Sequence, residues 1–168
     1  MESQFDSARE AAGRSLVIFP GALGDFICFL PALDALARRG AVDVLARSEY
    51  ADLVSPPIRI ASIERREIAQ LFVREADLRE VEEFLRPYDR VYSWSGGGDA
   101  AFKRNFARAA GARGRLFPFR PAALTEHISD YYLGCIGAPA EAPTPEVAVK
   151  PEALARARAW LGINGNNR

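Results

Sequence analysis

From Ser15 onward the chain alternates short, continuously apolar runs with segments whose apolar residues recur every three or four positions. This alternation narrows the fold more than any other feature. Residues 15–19 show no polar–apolar alternation, the pattern of a strand covered on both faces in a parallel sheet. In residues 25–38, Phe26, Phe29, Leu30, Leu33, Leu36 and Ala37 fall at helical spacing, with Pro31 predicting a kink and Gly40 a C-cap. Strands are expected at 42–46 and 58–63, separated by a short helix that Ser48 caps and Pro56-Pro57 breaks. An interrupted helix over 68–85 carries mixed charges on its solvated side. A strand at 90–95 then runs into Gly96-Gly97-Gly98-Asp99 and a helix ending at Ala110. The rest reads as a strand at 116–119, a helix from Thr125 to Ile136 stopped by Gly137, a proline-rich linker over 138–145, a strand at 146–149, a helix at 152–161 and a polar end. Strands alternating with helices argue for an open, mostly parallel α/β sheet with right-handed crossovers and helices on both faces.

Length and composition narrow the functional classes. A chain of 168 residues that is 49% hydrophobic is one ordinary domain with enough apolar surface for a core. Twenty-two basic and 22 acidic residues cancel, so the protein lacks the basic field that drives sequence-independent nucleic-acid binding, and nucleic acid is not an expected partner. Lys103 and Lys150 are the only lysines; the other 20 cationic residues are arginines. Arginine suits bidentate recognition of carboxylate or phosphate, although an Ala/Arg/Gly-rich genome produces the same bias. Cys28 and Cys135 stand far apart inside apolar runs, as small buried hydrophobes and not as a disulfide or metal pair, which fits a reducing compartment. Residues 1–14 carry acids where an export signal needs a basic start and an apolar core, and no run reaches the roughly 18 apolar residues that span a bilayer.

The chemistry-bearing candidate is the segment Pro20-Gly21-Ala22-Leu23-Gly24-Asp25, which joins the first strand to the first helix. Gly21 and Gly24 permit unusual backbone angles or close approach of a ligand, and a helix N-terminus offers free N–H groups and a partial positive charge. Asp25 sits in that mouth, either as a functional carboxylate or as the cap of the helix, since Asp is a preferred N-cap. The spelling is neither a P-loop nor a dinucleotide fingerprint. Because ligands of open parallel sheets bind outside the carboxyl ends of the strands, the two glycine loops share the expected binding edge.

Three segments together resemble glycosyltransferase family 9, the ADP-heptose:lipopolysaccharide heptosyltransferases. They are Pro20-Gly-Ala-Leu-Gly-Asp25 with the helix that follows, Tyr88-Asp89-Arg90-Val91 leading to Ser95-Gly96, and His127-Ile-Ser-Asp-Tyr-Tyr-Leu-Gly134 before Gly137. The resemblance covers about residues 15–161 and only the amino-terminal half of that family. It implies a Rossmann-like, acceptor-binding domain of a GT-B enzyme over 15–150, a disordered lead-in over 1–14, and the start of an interdomain segment over 151–168, with the donor domain missing. By the resemblance Asp25 is the general base that takes the acceptor proton in an inverting sugar transfer. Gly21, Ala22, Leu23, Gly24, Arg65, Arg66, Ser95 and Gly96 line the acceptor site, and the acceptor is an anionic glycan or glycolipid. No metal and no resident cofactor are implied; the donor, a nucleotide-sugar such as ADP-heptose, belongs to the missing domain. Location is expected in the cytoplasm, with peripheral association at the inner face of the inner membrane compatible with it. The exposed interface of a lone half is expected to self-associate.

Two other readings compete. One is a non-catalytic Rossmann-like module that binds anionic glycans or nucleotides. The other is an unrelated cofactor domain, disfavoured by the broken fingerprint and by Ala46-Arg47 standing where a dinucleotide site needs an acid. The single histidine, His127, reads as a helix-surface or capping residue as readily as a functional one.

Overall fold

The computed structural model describes residues 13–121, 126–139 and 151–162. Strands β1 (Ser15–Ile18), β2 (Val42–Ala46), β3 (Ile58–Ser62), β4 (Arg90–Ser93) and β5 (Gly114–Leu116) form one sheet in the order β3-β2-β1-β4-β5, and all four pairings are parallel. The helices are α1 (Leu23–Ala37), α2 (Arg66–Gln70), α3 (Arg79–Leu85), α4 (Ala100–Ala110), α5 (Ile128–Cys135) and α6 (Pro151–Trp160). This is the open parallel α/β sheet that the alternation predicts and the Rossmann-like class that the resemblance implies.

The apolar run of β1 is explained by its central place. Leu16 and Ile18 face a layer built with residues of α2, α3 and α4, such as Ile68, Val81 and Phe102, while Val17 and Phe19 face α1 and α5. All four side chains are fully buried, so from Leu16 to Phe19 no position is polar. The chain lays β2 and β3 on one side of β1 and then returns to place β4 on the other. Consequently the loops leaving β1 and β4 diverge to opposite faces, and the crevice between them opens at the carboxyl edge of the sheet.

Local physics moved several boundaries. Helix α1 begins at Leu23, two residues before Asp25, and its C-cap is Arg38 in place of Gly40. Pro31 is accommodated within the helix. The segment after β2 is a 3₁₀ turn over Ser48–Leu53 with Arg47, not Ser48, at its N-cap position. The interrupted helix resolves into α2 and α3, and the Asn105 side chain ties the intervening turn by donating to the Leu71 and Val73 carbonyls. The strand expected at 116–119 lies two residues earlier: the Phe117 N–H still donates to the Ser93 carbonyl at 2.9 Å, Pro118 has no N–H to carry the ladder further, and the Phe117 and Phe119 side chains pack against the core. The caps and strand expected at Thr125 and 146–149 lie outside the described residues, as do residues 1–12 of the lead-in and 140–145 of the linker. Helix α5 carries its own cap, because His127 Nδ1 accepts from the Ser129 N–H. That is the bland role for the lone histidine.

A polar staple closes the amino edge of the sheet. Asp43 on β2 accepts from Arg14 at 2.6 Å, from Arg59 at 3.0 Å and from the Tyr88 hydroxyl at 3.0 Å. The Arg14 backbone N–H in turn donates to Asp89. Burial by itself would raise the Asp43 carboxyl, but the bonds from Arg14, Tyr88 and Arg59 outweigh it and hold it below the ordinary 3.8. A depressed folded-state value means that the stabilisation is present at neutral pH and lost as acid protonates the carboxylate. Asp43→Asn should therefore cost about 1–3 kcal/mol at pH 7, in line with charge-assisted hydrogen bonds. In chemical denaturation the gap between wild type and variant should close as the pH falls through and below the ordinary aspartate range; a gap independent of pH would refute the assignment.

Candidate functional site

Phe19, at the carboxyl end of β1, organises the crevice. Its ring stacks on Phe29 at 4.3 Å and meets Phe26, Trp94, Phe119 and Tyr132 edge-on at 5.6–6.4 Å. Gly21 is required directly above it. A Cβ there would fall 2.4 Å from the Phe19 ring and 2.9 Å from the Asp25 Cβ. The Gly21 carbonyl also accepts from the buried Tyr50 hydroxyl at 3.2 Å, which fixes the turn. Gly24 differs. A Cβ there meets nothing within 4 Å, and the residue does not adopt positive φ, so neither packing nor backbone strain calls for glycine.

The second loop is held from below. Ser93, fully buried, accepts from the Ser95 N–H and donates to the Ser95 carbonyl, both at 3.1 Å. Gly96 sits at φ +74°, and a Cβ there would strike the Phe102 ring at 2.1 Å. Asp99 caps α4 by accepting from the Phe102 N–H at 2.7 Å. Between this loop and the segment after β5 lies a cleft of about 750 Å³, lined by Pro20, Trp94, Ser95, Gly96–Gly98, Lys103 and Leu116–Arg120. A smaller depression of about 440 Å³ lies on the other side of Pro20, between the ends of β1, β2 and β3.

Asp25 is not the helix cap. The N-cap position belongs to Ala22, which has no side-chain acceptor, and Asp25 is the third residue of α1. Its carboxylate Oδ1 accepts from Arg120 Nη2 at 2.6 Å, with the side chains 19% and 64% exposed respectively. Arg120 also rests on the Phe119 ring, 5.5 Å from its centroid. Behind the pair, Tyr132 is buried and its hydroxyl has no hydrogen-bond partner. Burial pushes that hydroxyl up to about 12, with the Asp25 charge adding to the shift and Arg120 opposing it. Tyr131 anchors the Arg120 segment by donating to the Pro118 carbonyl at 2.6 Å.

Of the residues singled out from the sequence, Ser95 and Gly96 line the cleft, whereas Gly21, Ala22, Leu23, Gly24 and Asp25 cluster just beyond Pro20 around the start of α1 and are not part of its lining. Arg65 and Arg66 follow β3, at the opposite edge of the sheet from β5, and neither lines the cleft. Arg65 bonds Glu67 at 3.0 Å and covers the Phe84 ring, and Arg66 pairs with Glu80 at 3.4 Å. The cations that do line the cleft, Lys103 and Arg120, were not legible as site residues. The available signal for Arg120 was its place between Phe119 and Pro121, just past a strand at the carboxyl edge. Cys28 and Cys135 are free thiols on α1 and α5, partly buried against the core.

No family model and no curated protein matches the sequence. Among solved structures, a glycosyl transferase family 9 protein from Veillonella parvula matches with a TM-score of 0.61 at 14% identity, over 95% of this chain and 52% of that one. The E. coli heptosyltransferase WaaC, determined with ADP, is a weaker match, with a TM-score of 0.41 at 16% identity over 88% of this chain and 53% of its own. The chain thus spans about half the length of these neighbours, and it shares the α/β fold of part of a family 9 glycosyl transferase.

The contrast between the two glycines of the first loop is directly measurable. Gly21→Ala should destabilise by about 1–3 kcal/mol through overpacking against Phe19. Gly24→Ala should leave stability unchanged or raise it by up to about 1 kcal/mol, since alanine is the better helix former. Equal losses in urea denaturation would show that both glycines are structural.

Proposed function

We propose that this chain is the acceptor-binding half of an inverting glycosyltransferase. In this reading it works with a second domain that binds a nucleotide-sugar, ADP-heptose by the family resemblance, and its acceptor is an anionic glycan or glycolipid of the lipopolysaccharide-core type. Asp25 is the general base. It accepts the proton of the acceptor hydroxyl while that oxygen bonds to the anomeric carbon, and the bond from that carbon to the diphosphate oxygen breaks with inversion. The observation that carries the reading is Asp25 itself: a carboxylate in the first turn of α1 that caps nothing, at the carboxyl edge where open α/β sheets bind ligands.

Other features support it. Gly24 is an open position in a helix that would be more stable with alanine, as expected where a substrate needs room. Lys103 and Arg120 give the cleft positive charge suited to a phosphate or carboxylate on the acceptor. Two depressions, of about 750 and 440 Å³, meet at Pro20 and offer room for a polar ligand on either side of it. Leu154, Trp160 and Leu161 are exposed, Trp160 by 86%, and suit either docking of a donor domain or self-association. No described helix is long and apolar enough to cross a membrane. Action on a glycolipid would bring the protein to a membrane surface from the cytoplasm.

The Asp25–Arg120 ion pair favours one other reading, a non-catalytic glycan- or nucleotide-binding module in which the pair is a structural tie. Asp25→Asn separates the two. With a donor-binding domain supplied, the variant should lose about 10²–10⁴-fold in transfer rate while its unfolding free energy changes by less than about 1 kcal/mol. Near-normal transfer by a stable variant would leave only the binding module.

A further inference from the structure

The partner that Asp25 has in this structure carries an inference beyond its role as a base. Arg120 grips one oxygen of the carboxylate at 2.6 Å, through a bond strengthened by charge on both sides. While that bond stands, the cation lines the cleft and the carboxylate it holds does not. The two partners differ in how they are held. Asp25 is fixed on the first turn of α1 and is mostly buried, whereas Arg120 is largely exposed on the segment after β5 and lines the cleft. The backbone beneath Arg120 is held at Pro118 by Tyr131, so its long side chain is the part free to move.

The opposing wall adds the second half. Lys103 and the Gly96–Gly98 loop face the Arg120 segment across the same cleft. An anionic group entering there meets one cation already committed to Asp25. Most ion pairs with an exposed partner are weak. A phosphate, with more charge and several acceptor oxygens, can replace a single carboxylate contact to a guanidinium. The buried Tyr132 hydroxyl, which has no hydrogen-bond partner, stays behind on the inner side when Arg120 leaves.

We propose that Arg120 is a latch that couples acceptor recognition to exposure of Asp25: it holds the carboxylate while the cleft is empty, and the acceptor's anionic group draws it away and frees the base. This rests on the acceptor-binding reading above. Arg120 is then a specificity-determining residue, because an acceptor without an anion near its reactive hydroxyl leaves the latch closed.

The test is a double-mutant cycle on the full 168-residue chain, with inorganic phosphate as the probe. Trp160→Phe leaves Trp94, in the cleft wall, as the only tryptophan and hence the fluorescent reporter. Asp25→Asn releases Arg120, so phosphate should bind about three- to fivefold more tightly. Arg120→Gln should weaken binding, and adding Asp25→Asn to it should change the affinity by less than about 1.5-fold. The same cycle with Arg120→Ala guards against a fault peculiar to one variant, with thermal unfolding as the check on folding. Equal tightening by Asp25→Asn with and without Arg120 would mean that the carboxylate merely repels the anion, and the latch would be rejected. No tightening, or no saturable phosphate binding by either the wild type or Asp25→Asn, would reject it as well. Retention of sugar transfer by Asp25→Asn would instead strike the catalytic reading, which the binding cycle does not touch.

Discussion

The packing of Phe19 is the constraint on which the candidate site depends. Its ring ends the central strand, stacks on Phe29 of α1 and meets Tyr132 of α5 and Trp94 beyond β4. One side chain thereby sets the relative positions of the two helices on that face and the floor of the cleft. The turn above it can pass only as glycine, because the space a Cβ would need at Gly21 is occupied by that ring. A fully buried aromatic of this size contributes strongly to stability. Here it also contributes accuracy, since displacing it displaces the start of α1 and with it Asp25. The edge-on contacts to Trp94 and Tyr132 extend the same rigidity beneath the cleft.

Charge is distributed differently at the two ends of the sheet. At the amino edge Asp43 collects three donors, and the result is a closed structural network. At the carboxyl edge Asp25 has Arg120 on its exposed side and an unpartnered Tyr132 hydroxyl buried nearby. A carboxylate with several fixed donors is hard to recruit for proton transfer. One whose single ion-pair partner is largely solvent-exposed is held by a weaker tie.

Much of the architecture was legible in the residues because burial leaves a mark on composition. A strand enclosed on both faces is apolar along its buried length, which is why the run from Leu16 could be placed in a parallel sheet from its side chains. Where the chain order depended on such local marks, the expectations of strand, turn and helix hold. They fail by a few residues where a cap or a proline decides the end: Ala22 offers no capping side chain yet occupies the N-cap position, and the ladder stops after Phe117, whose N–H still donates to the Ser93 carbonyl, because Pro118 has no N–H to continue it.

The candidate site divides along the same line. Gly21 to Asp25 could be read from sequence because a turn between a buried strand and an amphipathic helix needs particular residue types within a few positions. Arg120 could not, since 95 residues separate it from Asp25 and one arginine among 20 carries no local signature. Arg65 and Arg66, drawn in by resemblance, lie at the other edge of the sheet, because strand order is not written in any one strand. Sequence alone determined the fold class, the loop and its carboxylate, through short-range patterns of burial and backbone freedom. Which cation meets that carboxylate was decided only by the tertiary structure, because the return of β4 and β5 to the far side of β1 is a long-range pairing that brings distant residues to one edge.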